Sequence, residues 1–206
     1  MSKNAAVQSP IPESQDEVLR RDDPRWKRLH DIILERSFMT GDFILSSGAP
    51  SKFLFQLRQT TMLGEGASLI AEVVLDYMQR HDIHCIGGLV QGAIPIAQAV
   101  GVIGHLRGYE TDAFFVRKEA KPHGAKERID GYVRNDAEVL VVDDVATKGG
   151  SIRDAVEGLH AGHPSCFVKR ALVVVDRQEG AAQMLASRGI LLVSLFKKSD
   201  FPIPAW

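Results

Sequence analysis

The sequence has few cysteines, no long apolar run and no excess of charge of either sign, and each shortage excludes a class of protein. Only Cys85 and Cys166 occur among the 206 residues, without metal-ligand spacing, so we expect two reduced, buried thiols rather than a disulfide scaffold or a zinc site. No stretch approaches the roughly 18 apolar residues of a transmembrane helix, and the polar start, residues 1–13, lacks a signal peptide's apolar stretch. These absences predict a cytoplasmic protein that does not enter a membrane.

The charge balance argues against nucleic acid as a partner. The chain carries 25 Lys+Arg against 26 Asp+Glu, so its net charge of -1 creates no overall field that would attract a polyanion. Two common phosphate-binding signatures are missing as well: G-x-x-x-x-G-K-[ST], and G-x-G-x-x-G between a strand and a helix. We therefore expect small-molecule ligands, bound by some other arrangement of residues.

The length and the 45% hydrophobic content suffice for the core of one α/β domain. Residues 1–22 are polar and lack apolar periodicity, which predicts a mobile tail before a single domain, 23–206. Strand-like segments 43–45 and 53–57 flank a turn rich in Gly, Pro and Ser, which predicts a β-hairpin. This hairpin would form a small N-terminal hood over roughly residues 23–62, joined by the C-terminal segment.

From residue 66 onward, helical and strand patterns alternate. Helices are expected at 67–80, 94–106, 151–160 and 178–187, and strands at 83–87, 113–116, 138–142, 170–175 and 190–196. This alternation predicts an α/β fold with a central, mostly parallel sheet flanked by helices. Ligands of such sheets bind at the carboxyl ends of the strands, so candidate site residues should follow the strands.

The segment 139–151 is the richest in chemistry. An apolar strand is followed by two adjacent acids, Asp143 and Asp144, and then by a loop of small and hydroxylated residues that enters a helix. Two glycines let successive N–H groups converge, hydroxyl groups add donors, and the helix presents its positive end, which together suit one phosphate. At least one acid would accept hydrogen bonds from sugar hydroxyls beside it. An ordinary strand–turn–helix, whose acids cap the helix, has the same spacing.

Two further features suit anionic ligands. Segment 117–128 holds five basic residues and one histidine against two acids, and a long basic connection suits a polyanion such as pyrophosphate. A solvated basic loop is the alternative, whereas nucleic acid is disfavoured because no aromatic residues interleave the charges. Arg177, at a strand end, suits bidentate recognition of a carboxylate, or else forms an ion pair with Asp176.

These residues resemble a known family. Segment 139–151 resembles the phosphoribosyl pyrophosphate (PRPP) motif of type I phosphoribosyltransferases. Segment 117–124 is similar to the mobile catalytic loop of the orotate phosphoribosyltransferases, and 43–48, the segment that continues through Arg58, and 176–180 resemble the same family. The resemblance covers roughly residues 38–200. It implies the fold expected above and the transfer of the phosphoribosyl group of PRPP to orotate, giving orotidine 5′-monophosphate and pyrophosphate in pyrimidine (UMP) biosynthesis.

The resemblance also implies roles for individual residues. Catalytic roles fall to Lys121, Asp143 and Asp144, and orotate would contact Thr147 and Arg177. The residues that would bind PRPP are Arg117, Lys118, Lys121, His123, Asp143, Asp144, Val145, Ala146, Thr147, Lys148, Gly149, Gly150 and Ser151. Mg²⁺ would be held mainly through PRPP rather than by direct protein ligands. A homodimer is implied, in which loop 117–128 reaches the neighbouring chain's site.

Three positions depart from the family pattern. Pro50 stands where many members have a lysine, and Lys148 replaces a residue that is often small. Gln91 lies in the loop after strand 83–87, which resembles the family's pyrophosphate-side loop and in which some members carry a lysine. Two other functions remain as alternatives: a PRPP-binding regulatory protein, and a phosphoribosyltransferase that acts on another base. A regulator should show a basic face or an added DNA-binding module, which this charge balance does not favour.

Overall fold

Strands and helices alternate along most of the chain in the computed structural model, which describes residues 16–44, 48, 50–119 and 128–204. The helices are α1 (Pro24–Arg36), α2 (Arg58–Thr61), α3 (Gly64–Arg80), α4 (Ala93–Leu106), α5 (Gly150–Gly162) and α6 (Ala181–Ala186). The strands are β1 (Phe38–Ile44), β2 (Pro50–Phe55), β3 (Cys85–Leu89), β4 (Asp112–Val116), β5 (Ile129–Gly131), β6 (Glu138–Ala146), β7 (Phe167–Asp176) and β8 (Leu191–Lys197).

Six strands form the main sheet in the order β5-β4-β3-β6-β7-β8. All neighbouring pairs are parallel except β4 and the short β5, which are antiparallel. The predicted α/β fold with a mostly parallel sheet is therefore confirmed, although the sequence pattern missed the three-residue β5. Strand β6 continues to Ala146, which pairs with Asp176, whereas the sequence predicted its end at residue 142 because acids follow there.

The helices cover both faces of this sheet, and the side chains of β6 show how the core divides. Leu140 and Val142 are fully buried in the cluster that includes α3 and α4. Val139 and Val141 point the other way and pack in the cluster that includes α5 and α6. When the side chains of a strand alternate between two faces that are both covered by helices, the whole strand is apolar. The sequence of β6 is apolar in this way from Val139 to Val142, directly before the two acids.

A two-stranded antiparallel sheet of β1 and β2 forms the predicted hood. Its aromatic side chains pack against the C-terminal segment: the ring centroids of Phe38 and Phe55 lie 5.9 and 4.9 Å from that of Phe201. Phe201 in turn contacts Phe196 near the end of β8. The hood is thus fastened to the main sheet through the C-terminal segment.

The start of the described chain is more ordered than its composition suggests. Asp23 caps α1, because its carboxylate accepts a hydrogen bond from the Arg25 backbone N–H at 2.8 Å. Residues 16–22 were predicted to belong to a mobile tail, yet Val18 and Leu19 are buried in the main core. Polar contacts hold the same segment, because Arg80 donates to the Glu17 carbonyl at 2.8 Å. Residues 1–15 lie outside the described part of the chain.

Both cysteines are free and buried, as the sequence predicted. Burial raises the pKa of Cys85 to about 12, so its thiol stays protonated and unreactive at neutral pH. Within the described ranges, every helix is too short or too polar to cross a membrane.

Candidate active site

The two acids of β6 lie together against the start of α4. A Cβ atom built on Gly92 would come within 2.1 Å of Asp143 Oδ1 and 2.7 Å of Asp144 Oδ1. Asp143 is buried, and its Oδ1 accepts a hydrogen bond from the Asp144 backbone N–H at 2.9 Å. Neither acid caps α5, whose first turn has no side-chain cap. The interpretation of the acids as helix caps is therefore wrong.

Their surroundings disfavour negative charge on this pair. Burial, and then the nearby Asp144 carboxylate, raises the pKa of Asp143 well above its usual range. Burial also raises the pKa of Asp144, although the positive charge of Arg58 opposes that rise. Two carboxyl groups that are costly to ionise side by side gain most from a positive charge placed next to them.

The loop after β6 leaves room for an anion. Gly149 has a φ of 79°, so glycine is favoured there by the backbone conformation, whereas a Cβ atom would meet only the flexible end of the Met184 side chain, at 2.4 Å. A Cβ atom on Gly150, by contrast, would meet no atom within 4 Å, and Lys148 is exposed. The uncapped N–H groups of α5 face this open space, a common arrangement for phosphate.

Arg177 lies beside this loop, at the end of β7. Its backbone N–H donates to the Ala146 carbonyl at 2.9 Å, and its side chain is only 5% exposed. The guanidinium pairs with Glu179 at 2.9 Å and lies over the Phe53 ring of the hood, 4.6 Å from its centroid. The Asp176 carboxylate instead accepts a hydrogen bond from the Gln178 backbone N–H. The alternative prediction, an ion pair between Arg177 and Asp176, is therefore wrong. In the described structure the buried Arg177 Nε has no hydrogen-bond partner.

Helix α6 begins later than predicted and thereby places Arg177. Gln178 and Gly180 have φ values of 57° and 103°, so the chain turns there and α6 starts at Ala181 instead of residue 178. The Ala181 backbone N–H then donates to the Thr147 carbonyl at 3.1 Å. The loops that follow β6 and β7 are held side by side as a result.

The structure describes only the two ends of the basic segment 117–128, namely residues 117–119 and 128. Arg117 forms an ion pair with Asp130 on β5, and the backbone N–H of Arg117 donates to the Arg128 carbonyl at 2.7 Å. Its guanidinium is therefore directed to the edge of the sheet rather than to the two acids. Lys118 is exposed. Two other predicted site residues, Lys121 and His123, lie outside the described residues.

The sequence did not predict that the start of α2, the end of β3 with its loop, and β6 lie against one another. Arg58 Nη1, at the start of α2, donates to Gln91 Oε1 at 2.6 Å, across 33 residues of sequence. Gly88 belongs to β3, where it pairs with Phe115, and not to the loop that follows. A Cβ atom on Gly88 would lie 2.1 Å from the Val142 carbonyl oxygen, so β3 and β6 approach closely only because this residue is glycine. No sequence motif marks these approaches, which arise only when β3 and β6 become neighbours.

Comparison with known proteins supports this geometry. No family model matches the chain. An orotate phosphoribosyltransferase of Bradyrhizobium sp. (strain BTAi1) is 41% identical over 178 residues, which cover 84% of this chain and 95% of that protein. A Mycobacterium tuberculosis orotate phosphoribosyltransferase crystal structure superimposes with a TM-score of 0.76 at 32% identity, over 87% of this chain and all of the other. The structure of the same enzyme in complex with PRPP gives a TM-score of 0.71 at 30% identity, over 86% of this chain and 98% of that one.

Proposed function

We propose that this chain, which belongs to the orotate phosphoribosyltransferase family, uses the carboxyl edge of its sheet to join orotate to PRPP. The products are orotidine 5′-monophosphate and pyrophosphate, as in de novo synthesis of UMP. One observation carries the placement of the site: within nine residues, β6 and its loop present one buried acid, one half-buried acid and an uncapped helix start. Arg177 on the neighbouring strand supplies a buried cation beside them.

The loop 147–151 would bind the 5-phosphate of PRPP. Glycine at 149 and 150 keeps the loop narrow, and the backbone N–H groups at the start of α5 supply donors and a favourable dipole. Thr147 and Ser151 add hydroxyl donors, and the exposed Lys148 adds a positive charge nearby. The backbone of Val145 and Ala146 leads directly into this loop and sets its distance from the acids.

Asp143 and Asp144 would act on the ribose. As the bond from the anomeric carbon to the diphosphate oxygen breaks and the bond to the orotate nitrogen forms, positive charge develops on the sugar ring. The cost of ionising these two neighbouring acids is then offset most strongly in the transition state, when a cation lies beside them. Hydrogen bonds to the ribose hydroxyls would position the ring for this displacement.

Arg177 would bind the carboxylate of orotate. The side chain is buried, and its Nε–H has no partner among the described residues, so an incoming carboxylate would satisfy a donor that is otherwise costly. The Phe53 ring supports one face of the guanidinium, and Glu179 holds one terminal nitrogen. Thr147, in the adjacent loop, would contact the base.

The leaving pyrophosphate would meet the basic segment and Mg²⁺. The described residues contain no cluster of three or more His, Cys, Asp or Glu side chains arranged to hold a metal. Mg²⁺ usually binds substrate phosphates with one or two carboxylates at most, so the ion would arrive on the diphosphate. Bound there, the ion would neutralise charge on the leaving group. Arg117, Lys118, Lys121 and His123 would add protein cations to the same group.

A homodimer and a cytoplasmic location complete the proposal. Three exposed apolar side chains of α4, Ile94, Val102 and Leu106, fall within one third of the helix circumference and offer an apolar stripe to a second copy. In such a dimer, segment 117–128 of one chain would serve the site of the other. The buried free thiols Cys85 and Cys166 suit a reducing compartment such as the cytoplasm.

The direct test is to mix purified protein with PRPP, Mg²⁺ and orotate and to follow the loss of orotate absorbance. We expect turnover that requires PRPP, and no comparable turnover with uracil, adenine or hypoxanthine. Binding of PRPP without turnover of any base would support a regulatory protein instead. Turnover of another base in preference to orotate would overturn the proposed role of Arg177.

A further inference from the structure

Arg58 connects the hood to the loop that follows β3. It begins α2, directly after the hood strand β2, and its side chain is exposed. The guanidinium donates through Nη1 to Gln91 Oε1 at 2.6 Å, and Gln91 lies in the loop at the carboxyl end of β3. That loop also contains Gly92, whose backbone touches both acids of β6.

The charge of Arg58 acts on Asp144, yet Arg58 forms no ion pair with it. Its positive charge opposes the rise in the pKa of Asp144 that burial causes. Among the described residues, no carboxylate lies within 4.0 Å of the Arg58 guanidinium. Its one hydrogen bond to a described residue goes to the neutral side-chain amide of Gln91. A guanidinium has five N–H donors in a planar fork, so most remain available to a ligand.

The order of the strands indicates which part of the substrate lies nearby. In the sheet, β6 with its acids lies between β7, which Arg177 follows directly, and β3, whose following loop contains Gln91. A displacement at the anomeric carbon needs the incoming base and the departing diphosphate on opposite faces of the sugar. If the acids hold the ribose and Arg177 holds the base, the diphosphate leaves toward β3.

We propose that Arg58, held in place by Gln91, binds the diphosphate group of PRPP on the side of the acids opposite Arg177. This inference rests on the proposed function and adds a protein cation for the leaving group. Gln91 acts as a positioning residue, because its amide holds one end of the guanidinium and leaves the rest of the fork for phosphate oxygens.

The test compares Arg58→Gln with Arg28→Gln, which removes an exposed arginine of α1 that pairs with Glu65. We expect Arg58→Gln to raise the KM for PRPP and the Kd for magnesium pyrophosphate about tenfold or more, the usual cost of losing a hydrogen bond to a charged group. The KM for orotate and the melting temperature should stay near wild type. Arg28→Gln should leave all four quantities unchanged.

A second variant moves the charge instead of removing it. Adding Gln91→Lys to Arg58→Gln should restore much of the affinity for pyrophosphate, because the new ammonium starts from the residue that contacts Arg58 now. Gln91→Leu alone keeps the guanidinium and should cause a smaller loss of affinity for pyrophosphate. This variant tests the proposal if Arg58→Gln does not fold.

Calorimetry with magnesium pyrophosphate does not depend on turnover, so it tests Arg58 even if orotate is not the acceptor. A folded Arg58→Gln protein with pyrophosphate affinity within about twofold of wild type would overturn the inference. So would equal losses of affinity for orotate and for pyrophosphate.

Discussion

The backbone of Gly92 lies against the carboxylate of Asp143, so closely that an added Cβ atom would come within 2.1 Å of Oδ1. The start of α4 and the end of β6 are therefore in direct contact at the acids. Gly92 has a φ of -62°, which any residue adopts, so the need for glycine here is steric and not conformational. The contact makes this glycine part of the geometry of the site although it carries no functional group.

Gly92→Ala should inactivate the enzyme without unfolding it. The new methyl group must displace Asp143, and a shift of about 1 Å in a positioned catalytic group costs about a hundredfold in rate. Steady-state kinetics and the melting temperature would be measured together. Gly64→Ala is the matched control, because its Cβ atom meets nothing within 4 Å. Normal turnover by a folded Gly92→Ala protein would contradict the placement of Asp143.

Asp143→Asn should stabilise the protein at neutral pH while it depresses kcat. The pKa of Asp143 is raised in the folded protein, so ionising it costs folding free energy at a pH above that folded value. Asparagine removes this cost and keeps the oxygen that accepts the Asp144 N–H. We expect a gain of about 1 kcal/mol in the free energy of unfolding at pH 8.

That gain should shrink as the pH falls through the folded pKa, and it should vanish below the ordinary aspartate value of 3.8, where the carboxyl is protonated in both states. Urea unfolding at several pH values measures it. Asp22→Asn, which removes an exposed carboxylate paired only with Arg20 in the described structure, should show no such pH-dependent gain. A destabilised Asp143→Asn protein at pH 8 would show that burial does not penalise this charge.

Arg177→Ala should raise the KM for orotate far more than the KM for PRPP. The substrate carboxylate would lose a buried, charge-assisted partner, which costs about 3 kcal/mol, or about a hundredfold in affinity. Arg188→Ala, which removes an exposed arginine paired with Glu157, serves as the control and should change neither constant. Equal increases in the KM values for orotate and PRPP in Arg177→Ala would show that Arg177 does not bind the orotate carboxylate.

Mixing two inactive variants tests the shared site. Lys121→Ala affects the basic segment and Asp144→Asn affects the acids, so each protein alone should be nearly inactive. If segment 117–128 crosses the dimer, random exchange makes about half of the dimers hybrid, each with one intact site, and about a quarter of the wild-type activity returns. Activity that stays at the level of the separate variants after verified exchange would show that the segment serves its own chain.

Local sequence determined much of this protein. The apolar run before Asp143, the glycines of the loop at 147–151 and the helical spacing of α5 can be recognised without a structure, because each depends on neighbours within a few residues. Polar composition suggested a mobile segment where Val18 and Leu19 are in fact buried, because burial depends on distant surfaces that composition does not describe.

Tertiary structure alone decided which residues meet. Gly92 touches Asp143 because β3 and β6 are adjacent strands, although 51 residues separate the two in the chain. Phe53 supports Arg177 only because the hood folds over the end of β7. The ionisation of Asp143 also depends on tertiary structure. Burial and the neighbouring Asp144 carboxylate raise its pKa, and the burial results from packing that no sequence pattern encodes.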